Sequence, residues 1–414
     1  MSASRLHAFR LMLVIFLMPL CLASCIYYRN PATLSNPDRA EKLQFPGLRE
    51  ELNVQPVVNV LIVHGMGTHD GTYADGFLEK VRKRANLHVQ SSRTLADRMA
   101  TPYGAYSSVQ RITYQNEKGH ELRVFILTWS KLTEIFEDQL LAYDWQYHAG
   151  ERVRVNRDLK RYLIDTSFDD AVMFSGTYAP VMRAAVERAI CVVVTNKNKP
   201  DEPCRPPTMH GDISGAAPIF LITHSLGSVM VIETLERMLP SCPSGSERAQ
   251  GDPSRDTSLL AREFVGRLRG VFLLANQLPL LYLARIPAEP AKAVGTLPNQ
   301  PTDDLVISDA ANSFLKDLCS ITLLVRGLAA PIPIIAFSDP NDLLTFPLPG
   351  GWRDRIAPET ADRLDVINVT LNNAHTRWFG IVVNPSRAHT GYWASDTVVG
   401  YVVNGNRDTS NVRQ

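Results

Sequence analysis

The run Pro218-Ile219-Phe220-Leu221-Ile222-Thr223-His224-Ser225-Leu226-Gly227-Ser228-Val229-Met230-Val231-Ile232 constrains this chain more than any other stretch. Its unbroken apolar opening, entered through Pro218, reads as a strand buried on both faces, the kind found in parallel sheets. After Gly227 the apolar residues return at helical spacing. Ser225 therefore stands at the corner where a strand gives way to a helix. A residue in so sharp a turn holds its hydroxyl above the sheet edge, with the N–H of Leu226 aimed at the oxygen of whatever that hydroxyl attacks. Gly227 is small where the helix must pass close under the strand. The alternative for an isolated Ser-x-Gly corner is a strand ending in an ordinary serine N-cap.

Thr223-His224-Ser225-Leu226-Gly227 resembles the nucleophile elbow of the α/β-hydrolase superfamily, whose members are mostly esterases, lipases and related acyl hydrolases, although Thr223 stands where the commonest pattern has glycine. The resemblance implies an α/β fold with a mostly parallel central sheet flanked by helices, and a helical cap insertion. It also implies a serine nucleophile followed in the chain by its acid and then its base. Earlier in the chain, Val57 to Val63 reads as a buried strand and is followed by His64-Gly65-Met66-Gly67-Thr68-His69. In the family such a His-Gly turn supplies the second oxyanion donor, here the N–H of Met66 beside that of Leu226. A tetrahedral oxyanion needs two converging N–H groups, and Gly65 and Gly67 let the loop curl close enough to deliver one. His64 is then structural. Dinucleotide binding is the rival for these glycines, but the spacing to Gly71 is wrong and no acidic residue closes a second strand near Val89.

Ile332 to Phe337 forms another apolar strand, followed by Ser338-Asp339-Pro340-Asn341-Asp342-Leu343-Leu344, where the resemblance places the acid. Asp342, just before a short apolar run, is the first candidate; Asp339 is the alternative acid or the shaper of the turn. Leu364 to Leu371 is the last strand expected. The base must ride on a loop that reaches between serine and acid, and His389, ahead of a helix from Ser395 towards Val403, fits, with His375 in reserve. The ten histidines include no His-Glu-x-x-His helix and no Cys/His quartet, so neither a metal nor a cofactor is expected.

The N-terminus carries Arg5 and Arg10, then an apolar run from Leu11 to Leu22 too short to span a membrane comfortably, so residues 1–24 read as a secretory signal. Leu22-Ala23-Ser24-Cys25 resembles the lipobox of bacterial lipoproteins, which implies lipidation at Cys25 and a bacterial envelope location. Ile26 after the cysteine favours the periplasmic side of the outer membrane. Removing residues 1–24 takes away both arginines and no acid, moving the formal charge from +1 to −1, so no field argues for nucleic acid. Cys191, Cys204, Cys242 and Cys319 remain for up to two disulfides, Cys191 with Cys204 being one pairing and buried free thiols the alternative.

Residues 25–55, with Pro31, Pro37 and Pro46, read as a tether, and 56–414 as one catalytic domain. Within it, Tyr73 to Asn86 suits a helix, and Val109 to Tyr114 pairs with Leu122 to Thr128. Residues from about 131 to 195 form a helical insertion whose aromatics, among them Phe136, Tyr143, Trp145 and Phe174, either line an acyl pocket or pack the core. Pro240 to Ser258 and Arg285 to Asp304 read as surface loops, Leu268 to Asn276 as a strand with a polar exit, and Asp309 to Leu318 as a helix. The expectation is a membrane-tethered serine hydrolase of carboxylic esters or thioesters, with a lipid or small-molecule acyl ester as substrate. A catalytically silent envelope scaffold and an acyltransferase are the alternatives. Oligomeric state is open.

Overall fold

The apolar runs meet in one mixed, mostly parallel sheet, and the polar corners that follow them gather along one of its rims. The computed structural model describes residues 25–27, 33–35, 44–100, 106–148, 153–161, 168–196, 216–239, 255–281, 331–348, 364–373, 376–378 and 382–406. Its strands are β1 (Cys25–Tyr27), β2 (Thr33–Ser35), β3 (Val57–Val63), β4 (His88–Ala100), β5 (Tyr106–Gln115), β6 (Glu121–Thr128), β7 (Ile219–His224), β8 (Leu268–Leu274), β9 (Ile332–Ser338), β10 (Leu364–Thr370), β11 (Thr376–Trp378) and β12 (Val382–Val383). Nine of these make one sheet in the order β2-β10-β9-β8-β7-β3-β6-β5-β4. From β10 across to β6 every neighbouring pair is parallel. At the ends, β2 runs antiparallel to β10, and β6-β5-β4 form an antiparallel meander.

The central strands read as continuous apolar runs because helices cover both faces. On one face lie α6 (Ala179–Thr195), α7 (Leu226–Met238) and α8 (Arg255–Gly266), packed over residues such as Leu61, Phe125, Leu221 and Val271. The other carries α1 (Leu48–Val54), α2 (Asp75–Ala85) and α11 (Asp396–Asn404), packed over Val60, Phe220, Phe272 and Phe337. The remaining helices α3 (Glu134–His148), α4 (Arg154–Lys160) and α5 (Asp169–Ser175) follow β6, α9 (Leu278–Leu281) follows β8, and α10 (Pro385–Thr390) precedes α11. This is an α/β fold.

Four expectations need correction. Residues 25–55 are not simply a tether: Phe45, Leu48 and Leu52 are buried in the core, Pro46 bridges Gly405, β1 pairs with β11 and β2 extends the main sheet. Apolar side chains scattered among prolines find a surface that α11 and α2 leave open, and burying them outweighs their lack of period. The helical stretch 131–195 is not all cap, because α6 buries Val181, Met182, Val186 and Ile190 against the sheet as a core helix. His389 lies in the last turn of the short helix α10 rather than in a loop, since Pro385 at a first-turn position and the Asn384 side chain, accepting the Arg387 N–H, start a helix there. Finally, Arg255 to Ser258 open α8 instead of ending a loop.

Cys191 is disulfide-bonded rather than a free thiol. Residues 1–24, Cys204, Cys242, Cys319, His375, the loops 240–254 and 285–304 and the helix expected at 309–318 lie outside the described residues. Among the described residues no helix is long and apolar enough to cross a membrane.

Candidate active site

Ser225 joins β7 directly to α7 with φ of 54° and ψ of −126°, a positive-φ conformation rare for a residue with a Cβ. The surroundings over-determine it. The Ser225 N–H donates to Leu274 O at 2.8 Å, tying the corner to β8. Gly227 then passes so near the end of β3 that a Cβ there would run into His64 O and lie 2.9 Å from Val63 O. Thr223, in the position the commonest pattern gives to glycine, turns its hydroxyl to that of Ser228 at 2.8 Å and so fits without clash.

His389 Nε2 lies 3.1 Å from Ser225 Oγ, and Nδ1 lies 2.9 Å from each Asp342 oxygen. A carboxylate can only accept, so the proton sits on Nδ1 and the Nε2 lone pair faces the serine hydroxyl. Asp342 is further held by the Leu344 N–H at 3.0 Å and by the Tyr392 hydroxyl at 3.2 Å. Burial, and then the charges of Asp342 and Asp339, hold the Tyr392 phenol well above its usual range, which keeps it a donor.

Asp339 has the other role foreseen for it. Its oxygens accept the N–H groups of Asn341 at 2.8 Å and Asn373 at 2.5 Å, while its own N–H donates to Tyr392 Oη at 2.7 Å. Asn373 in turn donates to Ala388 O at 3.1 Å. The turn after β9, the loop after β10 and the helix carrying His389 are therefore one hydrogen-bonded unit. His224 closes it, donating from Nε2 to His389 O at 3.0 Å from a fully buried ring that desolvation holds neutral.

The loop after β3 is fixed peptide by peptide. His64 Nδ1 donates to Gly65 O at 2.7 Å, and its Nε2 accepts the Trp129 N–H at 3.1 Å. In a trans peptide C=O and N–H point opposite ways, so pinning Gly65 O to His64 turns the Met66 N–H away from His64. The next unit is held at both ends, since His69 Nε2 donates to Met66 O at 3.2 Å and the Gly67 N–H donates to Asp170 Oδ2 at 2.7 Å. Gly67 has φ of 90°, and a Cβ on Gly65 would stand 2.5 Å from Ser225 Cβ. Only glycine allows this approach at 65, and it brings the Met66 peptide beside the serine. Leu226, first residue of α7, has an N–H that no intrahelical carbonyl can reach. His64 stays neutral because burial, then its neighbours His69 and His224, lower its pKa well below 6.5.

Beneath this loop lies a buried carboxyl pair invisible to the sequence reading. Asp170 on α5 and Glu137 on α3 are hydrogen-bonded to each other, and both are held above the ordinary carboxylate range, first by burial; for Asp170 the charge of Glu137 comes next. Thr133 and Thr68 hydroxyls donate to Glu137 at 2.9 and 3.2 Å. Asp170 Oδ1 is buried and accepts no hydrogen bond. Trp129, Asp170, Glu137, His224 and Tyr392 were all missed from sequence. Of these, His224, inside the serine motif, and Trp129, immediately after a strand, stood where a site residue would be sought.

Of the aromatics on the helical stretch, Phe174 is core, while Phe136, Tyr143 and Trp145 are exposed. A cavity of about 420 Å³ lined by Phe174, Ala179, Arg183, Val229, Glu233 and Leu281 runs beside α7 from one helical turn past Ser225. Among the described residues no group of three His, Cys, Asp or Glu side chains is placed to hold a metal ion. Structurally, the assembly is an α/β domain with a hydroxyl, an imidazole and a carboxylate in one hydrogen-bonded line. No family model, no curated protein and no solved structure matches the chain.

Proposed function

We propose that the protein is a serine hydrolase of the α/β-hydrolase type, cleaving carboxylic esters or thioesters through an acyl-enzyme. The observation that carries the reading is the line Ser225 Oγ to His389 Nε2 to Asp342, at 3.1 and 2.9 Å, on a serine held at positive φ. His389 takes the hydroxyl proton as Ser225 Oγ bonds to the acyl carbon, and Asp342 steadies the imidazolium. The oxyanion is received by the N–H groups of Met66 and Leu226, and the tetrahedral species collapses as His389 passes the proton to the departing alcohol or thiol. Water then repeats the sequence on the acyl-enzyme and releases the acid.

Lipidation at Cys25, with the body on the periplasmic side of an outer membrane, belongs to the same proposal; the Cys191 disulfide supports an oxidising compartment. The test is covalent labelling by a fluorophosphonate. Wild type takes the label and Ser225→Ala does not. A wild-type protein that refuses the label sinks the enzyme reading, and a labelled Ser225→Ala sinks the nucleophile assignment.

A further inference from the structure

Far from the serine, on the antiparallel flank of the sheet, three arginines share one face. Register sets Arg93 of β4 directly opposite Arg111 of β5, and Thr113, two residues on and so on the same face, opposite Arg123 of β6. Ser91 faces Thr113 from the outer strand. Like charges directly opposite one another destabilise a strand pair, so this arrangement needs a compensating anion. Among the described residues only one is supplied. Glu121 receives Arg123 Nε and Nη2 at 2.8 and 2.6 Å, while Arg111 Nη1 spends a donor on the neutral Asn196 side chain at 2.8 Å. No carboxylate among the described residues pairs with Arg93 or Arg111, so three cations against one anion leave a local charge of +2. Burial, then Arg123 and Arg93, weaken the hold of Arg111 on its proton.

Between Arg111 and Arg123 lies a recess of about 220 Å³, whose walls include Ser91, Arg111, Thr113, Glu121, Arg123 and Asn196, with Arg93 outside those walls but opposite Arg111 on the same face. Almost every wall group is a hydrogen-bond donor. Guanidinium forks with hydroxyls between them match the geometry of a tetrahedral oxyanion, which accepts in several directions at once.

We propose that Arg93, Arg111 and Arg123, with the Ser91 and Thr113 hydroxyls, form a binding site for a phosphoryl group, separate from the serine centre and independent of the hydrolase reading. The group comes either from free phosphate or from a phospholipid head group, both recognised by the same donors. Calorimetric titration of the full chain with inorganic phosphate at constant ionic strength, with chloride as control, tests the site. Saturable binding is expected, weakened at least tenfold in Arg111→Gln and in Arg93→Gln. Glu121→Gln removes the competing carboxylate and tightens binding, a gain that a damaged fold does not produce. Co-sedimentation with phosphatidylglycerol/phosphatidylcholine vesicles against phosphatidylcholine alone identifies the source: retention lost in Arg93→Gln and competed by phosphate assigns a head group, and phosphate binding without retention assigns free phosphate. Wild type that binds phosphate no better than chloride, or Arg111→Gln that binds it unchanged, overturns the proposal.

Discussion

Replacing Asp170 with asparagine exchanges one oxygen of the buried carboxyl pair for an NH₂ group and leaves its shape alone. In wild type the pair retains a proton that each carboxyl alone would lose, because burial and, for Asp170, the charge of Glu137 raise both pKa values. The unfolded chain surrenders that proton at the ordinary carboxylate pKa of about 4. Above that pH the native state therefore binds more protons than the unfolded state, and stability must fall as pH rises, until the pair itself ionises. While one proton is fully retained the slope reaches its ceiling for a single group, about 1.4 kcal/mol per pH unit. In Asp170→Asn the amide oxygen still accepts the Gly67 N–H, and the NH₂ donates to an ionised Glu137 that Thr133 and Thr68 also serve. No shared proton is then needed. Urea unfolding at pH 5, 6 and 7, followed by tryptophan fluorescence, should give a stability line shallower than wild type by that slope. Parallel lines for the two proteins would refute the shared proton.

Three further outcomes follow from the geometry. Tyr392→Phe strips a donor from Asp342 and leaves the buried Asp339 N–H without its 2.7 Å partner, so unfolding measurements should show a loss of about 1–3 kcal/mol, with slower fluorophosphonate labelling. Gly65→Ala puts a methyl against Ser225 Cβ and drives the Met66 peptide back; losing one oxyanion donor lowers turnover by about 10²–10³, read on an ester substrate with circular dichroism unchanged. Phe45→Ala should cost about 3–5 kcal/mol in urea unfolding, whereas a free tether would show no change.

The parallel strands were legible in sequence because each is an apolar run buried on both faces, and the corners after β3, β7 and β9 could be located for the same reason. Asp342 and His389 were picked out by the serine, acid, base order that the resemblance to the α/β-hydrolase superfamily implies. What escaped has physical causes. β4 is polar, exposed from His88 to Thr94 and held by backbone pairing to β5, so it carries no apolar alternation to read. Phe45 and Leu48 look like linker residues until α2 and α11 provide a surface for them. Asp170 reaches Gly67 across 103 residues, and nothing local to either marks the contact. His224 carried a motif position but no hint that it would hold the backbone of the helix bearing His389.

The bridge between Pro46 and Gly405, with Gly405 at positive φ and its α-carbon too close to Phe45 O to admit a side chain, gives the ordered body the topology of a closed ring. Residues 46 and 405 lie side by side, so a circular permutant joined there and opened at an exposed turn such as Asn116 to Gly119 would keep every neighbour among β3 to β10 and forgo only the pairings of β1 and β2.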